Sequence, residues 1–594
     1  MMDMVLVFST ALLLALAVIP LVAKLAHAYG VLDLPDYVSG AAGSAEPQGS
    51  AFPSESRRVH AHPIPRLGGI GIAVGFAVSV LIWKGTDSVV WIVTPSLLIF
   101  AIGLIDDFWP LSARLRFVAQ VLITAFAVFL GDLWLRSIVL SEHFQYALPP
   151  WVGIPVSIFM VVGAINAVNM VDGLDGLAGG VVLIGVTLLS YLHVITTGSF
   201  GLLIGLSLPM IGGILGFLRY NSYPATIFMG DGGSNWLGFM AGMMMLVVLG
   251  AKPIGSATLL QDTQFVIQGS SAVPLLSAVL CLAVPVFDTA CVIASRLRHG
   301  LHPMKADNRH FHHTLLRLGL SHSQCVSAVY FVALVAGVLG IAPVAFPRYH
   351  LTWVPYATAA MLIVLFPLGL TVTKGSGRML ITSALERRSQ AINNRVRSLL
   401  RFWESMNRYT IYAILLVAPL LAGAAPRNIG LVAGFAAAAL LLAILAAKGS
   451  ADFMQSTTLA IAAAVLLIAN NSNQIMIEFN GTRYEMQSVY NSLFSWLAIS
   501  TFGFIATTAR KNYLIIRPAD YLLVCIPLVL ILIPEPVRTE YRFNVVGLRA
   551  LVLFAALRTM VRRHQYSMRR FSVIAFAGLL YVFLAGVYGM KFVN

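Results

Sequence analysis

The sequence predicts an all-α polytopic integral membrane protein. Of its 594 residues, 58% are hydrophobic and only 11% are charged, where a soluble domain carries about 25% charge. Apolar runs of about 20 residues, the length an α-helix needs to cross a bilayer, recur along the whole chain. The short alternating segments of an outer-membrane barrel are not the pattern here. The first run, Val5 to Ala23, has neither a basic leader nor a clear cleavage site, so it reads as a span and not as a removable signal.

Eleven spans are expected in the first part of the chain, near 4–26, 68–83, 89–105, 117–131, 151–165, 179–196, 201–218, 235–250, 273–294, 326–346 and 352–373. The loops after spans one, three, five, seven and nine hold Arg57, Arg58, Arg66, Arg114, Arg116, Arg219, Arg296, Arg298, Lys305, Arg309 and Arg317. The alternate loops hold only Lys84, Arg136, Lys252 and Arg348. Positive charge accumulates on the cytoplasmic side, so the first set is expected inside and the N-terminus outside, in a bacterial inner membrane. The same bias accounts for the formal net charge of +15. No basic helix or aromatic ladder stands apart from the membrane, so nucleic acid is not an expected partner.

Residues 376–408 form a basic stretch with Arg378, Arg387, Arg388, Arg395, Arg397, Arg401 and Arg408. It suits an amphipathic helix on anionic headgroups, or an ordinary solvated linker. About seven more spans follow in 409–594, near 409–425, 429–447, 457–469, 493–508, 519–533, 545–557 and 572–589, with a polar outer segment at 470–492. The expected organisation is a core at 1–375, a linker at 376–408 and a C-terminal membrane domain at 409–594. Residues 39–56, rich in Gly, Ala, Ser and Pro, read as a flexible insertion. The four cysteines show neither disulfide nor metal spacing.

Four polar clusters interrupt the apolar chain, each at the same expected face. The first is Asp106-Asp107, two acids at a helix end that need a cation or the nearby Arg114 and Arg116 for compensation. The second runs from Asn166 through Asn169 and Asp172 to Asp175. Its spacing of three puts successive polar residues on one helical face, and Gly173 and Gly176 allow close approach. The third, Gly230-Asp231-Gly232-Gly233-Ser234, opens an apolar helix and suits a cation or phosphate there. The fourth, Asp307 to His313 with Arg309, His310, His312 and His313, can hold a diphosphate. A zinc site there is the alternative, but no cysteine accompanies the histidines and the other clusters suit a hard cation.

Taken in order, these motifs closely resemble the polyprenyl-phosphate N-acetylhexosamine-1-phosphate transferase family. They include an Asp-Asp loop, Asn-x-x-Asn-x-x-Asp-Gly-x-Asp-Gly-Leu-Ala, Gly-Asp-x-Gly-Ser and a histidine loop. The first-loop residues Asp33, Pro35, Arg58, His60, Pro65 and Arg66 are also similar, and so is Pro285 to Thr289. The resemblance covers about 1–375. It implies transfer of an N-acetylhexosamine 1-phosphate from a UDP-sugar to polyprenyl phosphate, with UMP released and a lipid-linked envelope glycan such as O-antigen begun.

By the same resemblance Asp231 binds Mg²⁺, with Asn169 and Asp107 supporting it and Mn²⁺ as a substitute ion. Asp106 contacts or deprotonates the lipid phosphate. Asn166, Asp172 and Asp175 line the uridine or metal pocket. Arg309, His310, His312 and His313 hold the diphosphate or sugar, and Arg58 and His60 are first-loop substrate contacts. Asp288 orients the histidine loop. A homodimer is compatible with this reading. The 39–56 insertion separates first-loop residues that are close together in the family, and 409–594 lies outside the family's core. The alternatives are the branch that uses a UDP-muramyl-peptide, a transporter, and a non-enzymatic assembly platform.

Overall fold

The computed structural model describes residues 2–33, 63–84, 89–141, 144–198, 201–249, 273–300, 310–318 and 320–372. Beyond these it describes chiefly 394–420, 476–479, 482–485, 492–501 and 565–588. The chain divides into two units: residues 1–378 with 517–522, and 379–516 with 523–594. Among the described residues seven helices are long and apolar enough to cross a membrane, eight if one bent pair is a single span, and four shorter apolar helices accompany them. The protein is an all-α polytopic membrane protein.

In the first unit every expected span coincides with a helix, except the ninth, which is broken in two. The helices are α1 (Met2–Tyr29), α2 (Gly69–Lys84), α3 (Val90–Phe108), α4 (Ala113–Gly131), α5 (Pro150–Val171), α6 (Leu177–Thr197) and α7 (Leu202–Asn221). After them come α8 (Gly230–Val248), α9 (Leu275–Cys281), α10 (Ala283–Arg298), α11 (Phe311–Arg317), α12 (His322–Ala345) and α13 (Val354–Val372). α8 is the central helix. Trp236, Leu237, Phe239, Met240, Met243 and Met244 are each 0% exposed, which only an all-round apolar helix tolerates. Its glycines let neighbouring backbones touch it: a Cβ on Gly238 would lie 2.5 Å from the Ile165 Cα of α5. In a bilayer, where apolar burial gives little drive, close van der Waals contact of this kind holds helices together.

The expected single span at 273–294 is replaced by α9 and α10, bent by 95°. The cause is Pro285. It has no N–H to donate to the Cys281 carbonyl four residues back, and its ring collides with that carbonyl. α9 therefore ends at Cys281, and α6 accommodates the break at Gly185, whose missing Cβ would lie 2.8 Å from the Cys281 oxygen.

Three small antiparallel hairpins were not foreseen. β1 (Leu32–Asp33) pairs with β2 (Ile64–Pro65), so the two ends of the segment holding the 39–56 insertion are tied together. Arg66 adds a 2.6 Å ion pair to Asp33 at the same place. β3 (Ser137–Ser141) pairs with β4 (Phe144–Ala147) between α4 and α5, where Ile138, Val139, Phe144 and Tyr146 supply β-branched and aromatic residues.

The second unit contains α14 (Asn394–Leu420), a helix at Ser492–Thr501, and α15 (Gln565–Tyr588). The expected outer segment 470–492 contains the third hairpin, β5 (Met476–Phe479) with β6 (Thr482–Glu485). Tyr412 packs against Phe571 with tilted rings, centroids 4.3 Å apart, and Ser500 donates a hydrogen bond to buried Asn407.

Candidate active site

Antiparallel packing brings the ends of α3 and α5 and the starts of α4, α8 and α11 to one end of the first unit. The Asp106-Asp107 pair closes α3. Asp106 is 7% exposed and both its oxygens are engaged. Oδ1 accepts from the Leu111 backbone N–H at 2.6 Å, and Oδ2 accepts from Arg116 Nη1 at 2.6 Å. The same Nη1 lies 3.4 Å from Asp231 Oδ2. Arg116 thus bridges two acids 125 residues apart in the chain.

Asp107 takes a different part. Its two oxygens accept the Asp231 and Gly232 backbone N–H groups at 2.9 and 3.0 Å. A carboxylate there satisfies two of the orphan donors of α8 and complements the positive end of its dipole. Gly230 makes the contact possible. Its φ is +78°, and a Cβ would lie 2.2 Å from the Arg66 carbonyl and 2.6 Å from Asp107 Oδ2. On α3, a Cβ on Gly103 would likewise lie 2.6 Å from the Asp231 carbonyl oxygen, so glycine there lets the two helices meet.

Asn169, in the last turn of α5, donates to Asp231 Oδ1 at 2.8 Å and to Ser234 Oγ at 2.9 Å. Asn166, one turn earlier, does not join it. Its amide donates to Gln120 of α4 at 2.8 Å and to the Val162 carbonyl, which locks α4 to α5. Asp172 caps α5, and no described residue hydrogen-bonds its half-buried carboxylate. Burial, then the charges of Asp231 and Asp107, push its pKa up from 3.8 to about 7, against a smaller opposing effect of Arg66. Asp175 is tied up locally. It accepts from the Ala225 backbone at 2.9 Å and lies 3.8 Å from His322 Nε2.

Asp288 of α10 builds the histidine segment. Its Oδ2 is 3.0 Å from His310 Nδ1, and its Oδ1 accepts the Phe311 backbone N–H at 2.9 Å, capping α11. His310 and His312 stack with ring centroids 5.8 Å apart, and the His313 ring lies tilted against His312 at 4.4 Å. His312 is 3% exposed, and its Nε2 is buried without a hydrogen-bond partner among the described residues. Burial, followed by the neighbouring His313 and His310, lowers its pKa well below the usual value, so the ring is neutral. A Cβ on Gly173 would lie 2.6 Å from that Nε2. The histidine segment therefore abuts the loop that begins at Asp172.

The first-loop residues Arg58 and His60, and Asp307 and Arg309 of the histidine loop, lie outside the described residues. Four further residues shape the site without having been singled out. Gln120 positions Asn166. Asn221 accepts from the Gly176 N–H at 2.9 Å and donates to the Ile227 carbonyl at 2.8 Å. Tyr330 donates to the Gly176 carbonyl at 2.5 Å, and His322 sits against Asp175. The available signal was a lone polar residue in or bordering an apolar run, which identifies no partner by itself.

The donor set fits a hard divalent cation. Asp231, Asp172, Asp106 and Asp107 face Arg116 and Arg66, and Arg66 is already paired with Asp33. Negative charge is in excess, and all the side-chain donors are oxygens. No group of three or more His, Cys, Asp or Glu residues with metal-binding geometry occurs among the described residues. Mg²⁺ does not need such a cage, because it keeps waters and takes one or two carboxylates plus substrate phosphates.

Residues 89–249, which hold three of the four clusters, match the family model for glycosyl transferase family 4. A Bacillus subtilis protein named "Probable undecaprenyl-phosphate N-acetylglucosaminyl 1-phosphate transferase" is 31% identical over 347 residues, 57% of this chain and 85% of its own. A decaprenyl-phosphate N-acetylglucosaminephosphotransferase of Mycolicibacterium smegmatis is 34% identical over 303 residues, 47% of this chain and 71% of its own. An undecaprenyl-phosphate alpha-N-acetylglucosaminyl 1-phosphate transferase of Yersinia pestis is 29% identical over 336 residues, 54% and 78% of the two chains. With these motifs in order and converging at one end of the helical bundle, the chain belongs to the polyprenyl-phosphate N-acetylhexosamine-1-phosphate transferases of glycosyl transferase family 4.

Proposed function

We propose that the protein transfers N-acetylglucosamine 1-phosphate from UDP-N-acetylglucosamine to a polyprenyl phosphate on the cytoplasmic side of the membrane, releasing UMP. The observation that carries this reading is the meeting of Asp106, Asp231, Asn169 and Arg116 beside Asp172 and the neutral His312. In the reaction an oxygen of the lipid phosphate attacks the β-phosphorus. A P–O bond forms there, the bond to the bridging oxygen breaks, and UMP leaves with that oxygen. Attacker and leaving group are both anions, so charge compensation and alignment are the main tasks.

Mg²⁺, when bound, supplies charge neutralisation and a template for the phosphates. Asp231 and Asp172 would hold it, with Asn169 fixing the Asp231 carboxylate through its amide N–H. Arg116 brings positive charge to the acceptor side while remaining on Asp106. With both oxygens already accepting, Asp106 is better suited to orienting Arg116 than to taking a proton. A phosphate monoester is largely ionised at neutral pH in any case. Asp107 positions Asp231 by holding its backbone. The positive-inside charge bias supports a cytoplasmic acid-bearing end and an outside N-terminus. The transferase reading concerns residues 1–375.

Purified full-length protein should release UMP from UDP-N-acetylglucosamine only when polyprenyl phosphate and Mg²⁺ are both present. Absence of release with this donor, but release with a UDP-muramyl-peptide, would overturn the donor assignment. No release with any donor tested would favour an assembly platform.

Asp172 predicts a pH effect. Its pKa is raised on folding, so its contribution to stability is complete below about 4 and is lost as pH rises through about 7. In the absence of divalent cations the unfolding temperature should fall across this range. Mg²⁺ should restore it increasingly towards pH 8, because only the ionised carboxylate binds the cation. Asp172→Asn should reduce both dependences in a thermal melt, the remaining acids of the cluster keeping part of each; unchanged slopes would remove Asp172 from the cation site.

A further inference from the structure

We propose that the α1–α7 seam, at the same end of the bundle as the acids, holds the headgroup of an anionic glycerophospholipid through Arg219 and Lys24. The two helices run parallel. Tyr220 donates a hydrogen bond to the Leu16 carbonyl at 2.9 Å. A Cβ on Gly216 would lie 2.6 Å from the Ala15 Cβ, and one on Gly212 would lie 2.4 Å from the Phe8 carbonyl. α7 stops at Asn221, but α1 continues from Leu16 to Tyr29, a further rise of about 20 Å. Above the end of α7 this stretch of α1 has no α7 residue beside it.

Its two faces differ. Val22 and Ala26 are buried against Leu67, whereas Leu21, Leu25 and Tyr29 are 59%, 54% and 77% exposed. Lys24 and His27 stand exposed among them. The helical repeat carries the Leu16 face upward through Pro20, Ala23 and His27, with Lys24 beside it. At the foot of this strip is Arg219, in the last turn of α7. It lies over the Tyr220 ring at 5.5 Å, and its Nε is buried with no hydrogen-bond partner among the described residues. None of the ion pairs among the described residues joins Arg219 or Lys24 to a carboxylate.

A buried guanidinium nitrogen without an acceptor is expensive in an apolar setting. Arg219 as a whole is half-buried, so a lipid phosphate between its guanidinium and Lys24 supplies a charged acceptor, and Leu21 and Leu25 offer an apolar path for its acyl chains. Two positive charges that form no ion pair among the described residues select an anionic headgroup over a zwitterionic one. None of these residues belongs to the acid and histidine site, so this is a second lipid site separate from the acceptor's.

The full-length protein, released from nanodiscs holding equal phosphatidylglycerol and phosphatidylcholine, should retain phosphatidylglycerol in native mass spectra. Lys24→Gln with Arg219→Gln should reduce the retained fraction at least about fivefold, since each positive charge near the surface is worth about 1 kcal/mol. Arg219→Lys should keep most of it. Lys24→Gln alone, at an exposed position that cannot unfold the protein, should show a partial loss. Equal retention by wild type and double variant would overturn the proposal. So would preferential displacement of phosphatidylglycerol by added polyprenyl phosphate, which would assign the seam to the acceptor. Retention is read without turnover, so its failure and a failure of the transferase reading are separately visible.

Discussion

Asp231→Ala should lower Mg²⁺-dependent UMP release by at least about 10³-fold, a loss of about 4 kcal/mol of transition-state stabilisation. The fold should survive. The start of α8 is held by Asp107 through the Asp231 and Gly232 backbone N–H groups, which the substitution leaves in place. Removing the side chain frees Arg116 from its 3.4 Å contact and Asn169 from its 2.8 Å bond. Neither exchange is large, because Arg116 keeps Asp106 and Asn169 keeps Ser234. An unfolding temperature within a few degrees of wild type, with activity gone, is the expected pair of results. Release within tenfold of wild type would remove Asp231 from the reaction. Asp231→Asn tests charge alone and should fall nearly as far.

Asp107→Ala should give the opposite pairing, a change in stability together with a loss of activity. It removes the acceptor for two backbone donors at the start of α8. Loss of a helix cap costs about 1–2 kcal/mol, and unpaired donors beside apolar helices add to it. Asp231 then loses its register. A displacement of about 1 Å at a catalytic group can cost about 10²-fold in rate. Asp107→Asn separates positioning from metal binding, because its side-chain oxygen can still accept one of the two N–H groups. If Asp107 acts by positioning, Asp107→Asn recovers a substantial part of the activity with an unchanged Mg²⁺ requirement. If Asp107 is itself a ligand, the Asn variant needs much more Mg²⁺ for half-maximal UMP release and falls as far as Asp231→Asn. A Mg²⁺ titration of both variants, beside thermal melts, distinguishes the two.

Taken together these variants divide acids that the sequence presents as equivalent. Asp106 and Asp107 are neighbours, yet one binds Arg116 and the other a helix terminus. Asp172 and Asp175 are three residues apart, yet of the two only Asp172 has no hydrogen-bonding partner for its carboxylate among the described residues, because α5 ends at Asp172 and the loop after it carries Asp175 to the Ala225 backbone. Asn166 and Asn169 share a helical face, but a rise of about 4.5 Å sends the first to Gln120 and the second to Asp231.

The sequence alone determined the membrane class, ten of the eleven expected spans of the first unit to within a few residues, and the clusters that converge. Hydrophobic run length is a local quantity that the bilayer thickness reads directly, and antiparallel helices carry alternate loops to one face. Motif order identified the family for the same reason, because the chemistry needs those residue types at fixed local spacings. The tertiary structure decided which partner each polar group takes. It also broke the ninth span at Pro285, paired the edges of the first loop through β1 and β2, and turned Asp107 towards a helix end. These outcomes depend on hydrogen-bond geometry between segments far apart in the chain, such as Tyr220 and Leu16 at 204 residues. A buried polar group takes whichever partner the packing brings within about 3 Å, and no local pattern in the chain encodes that choice.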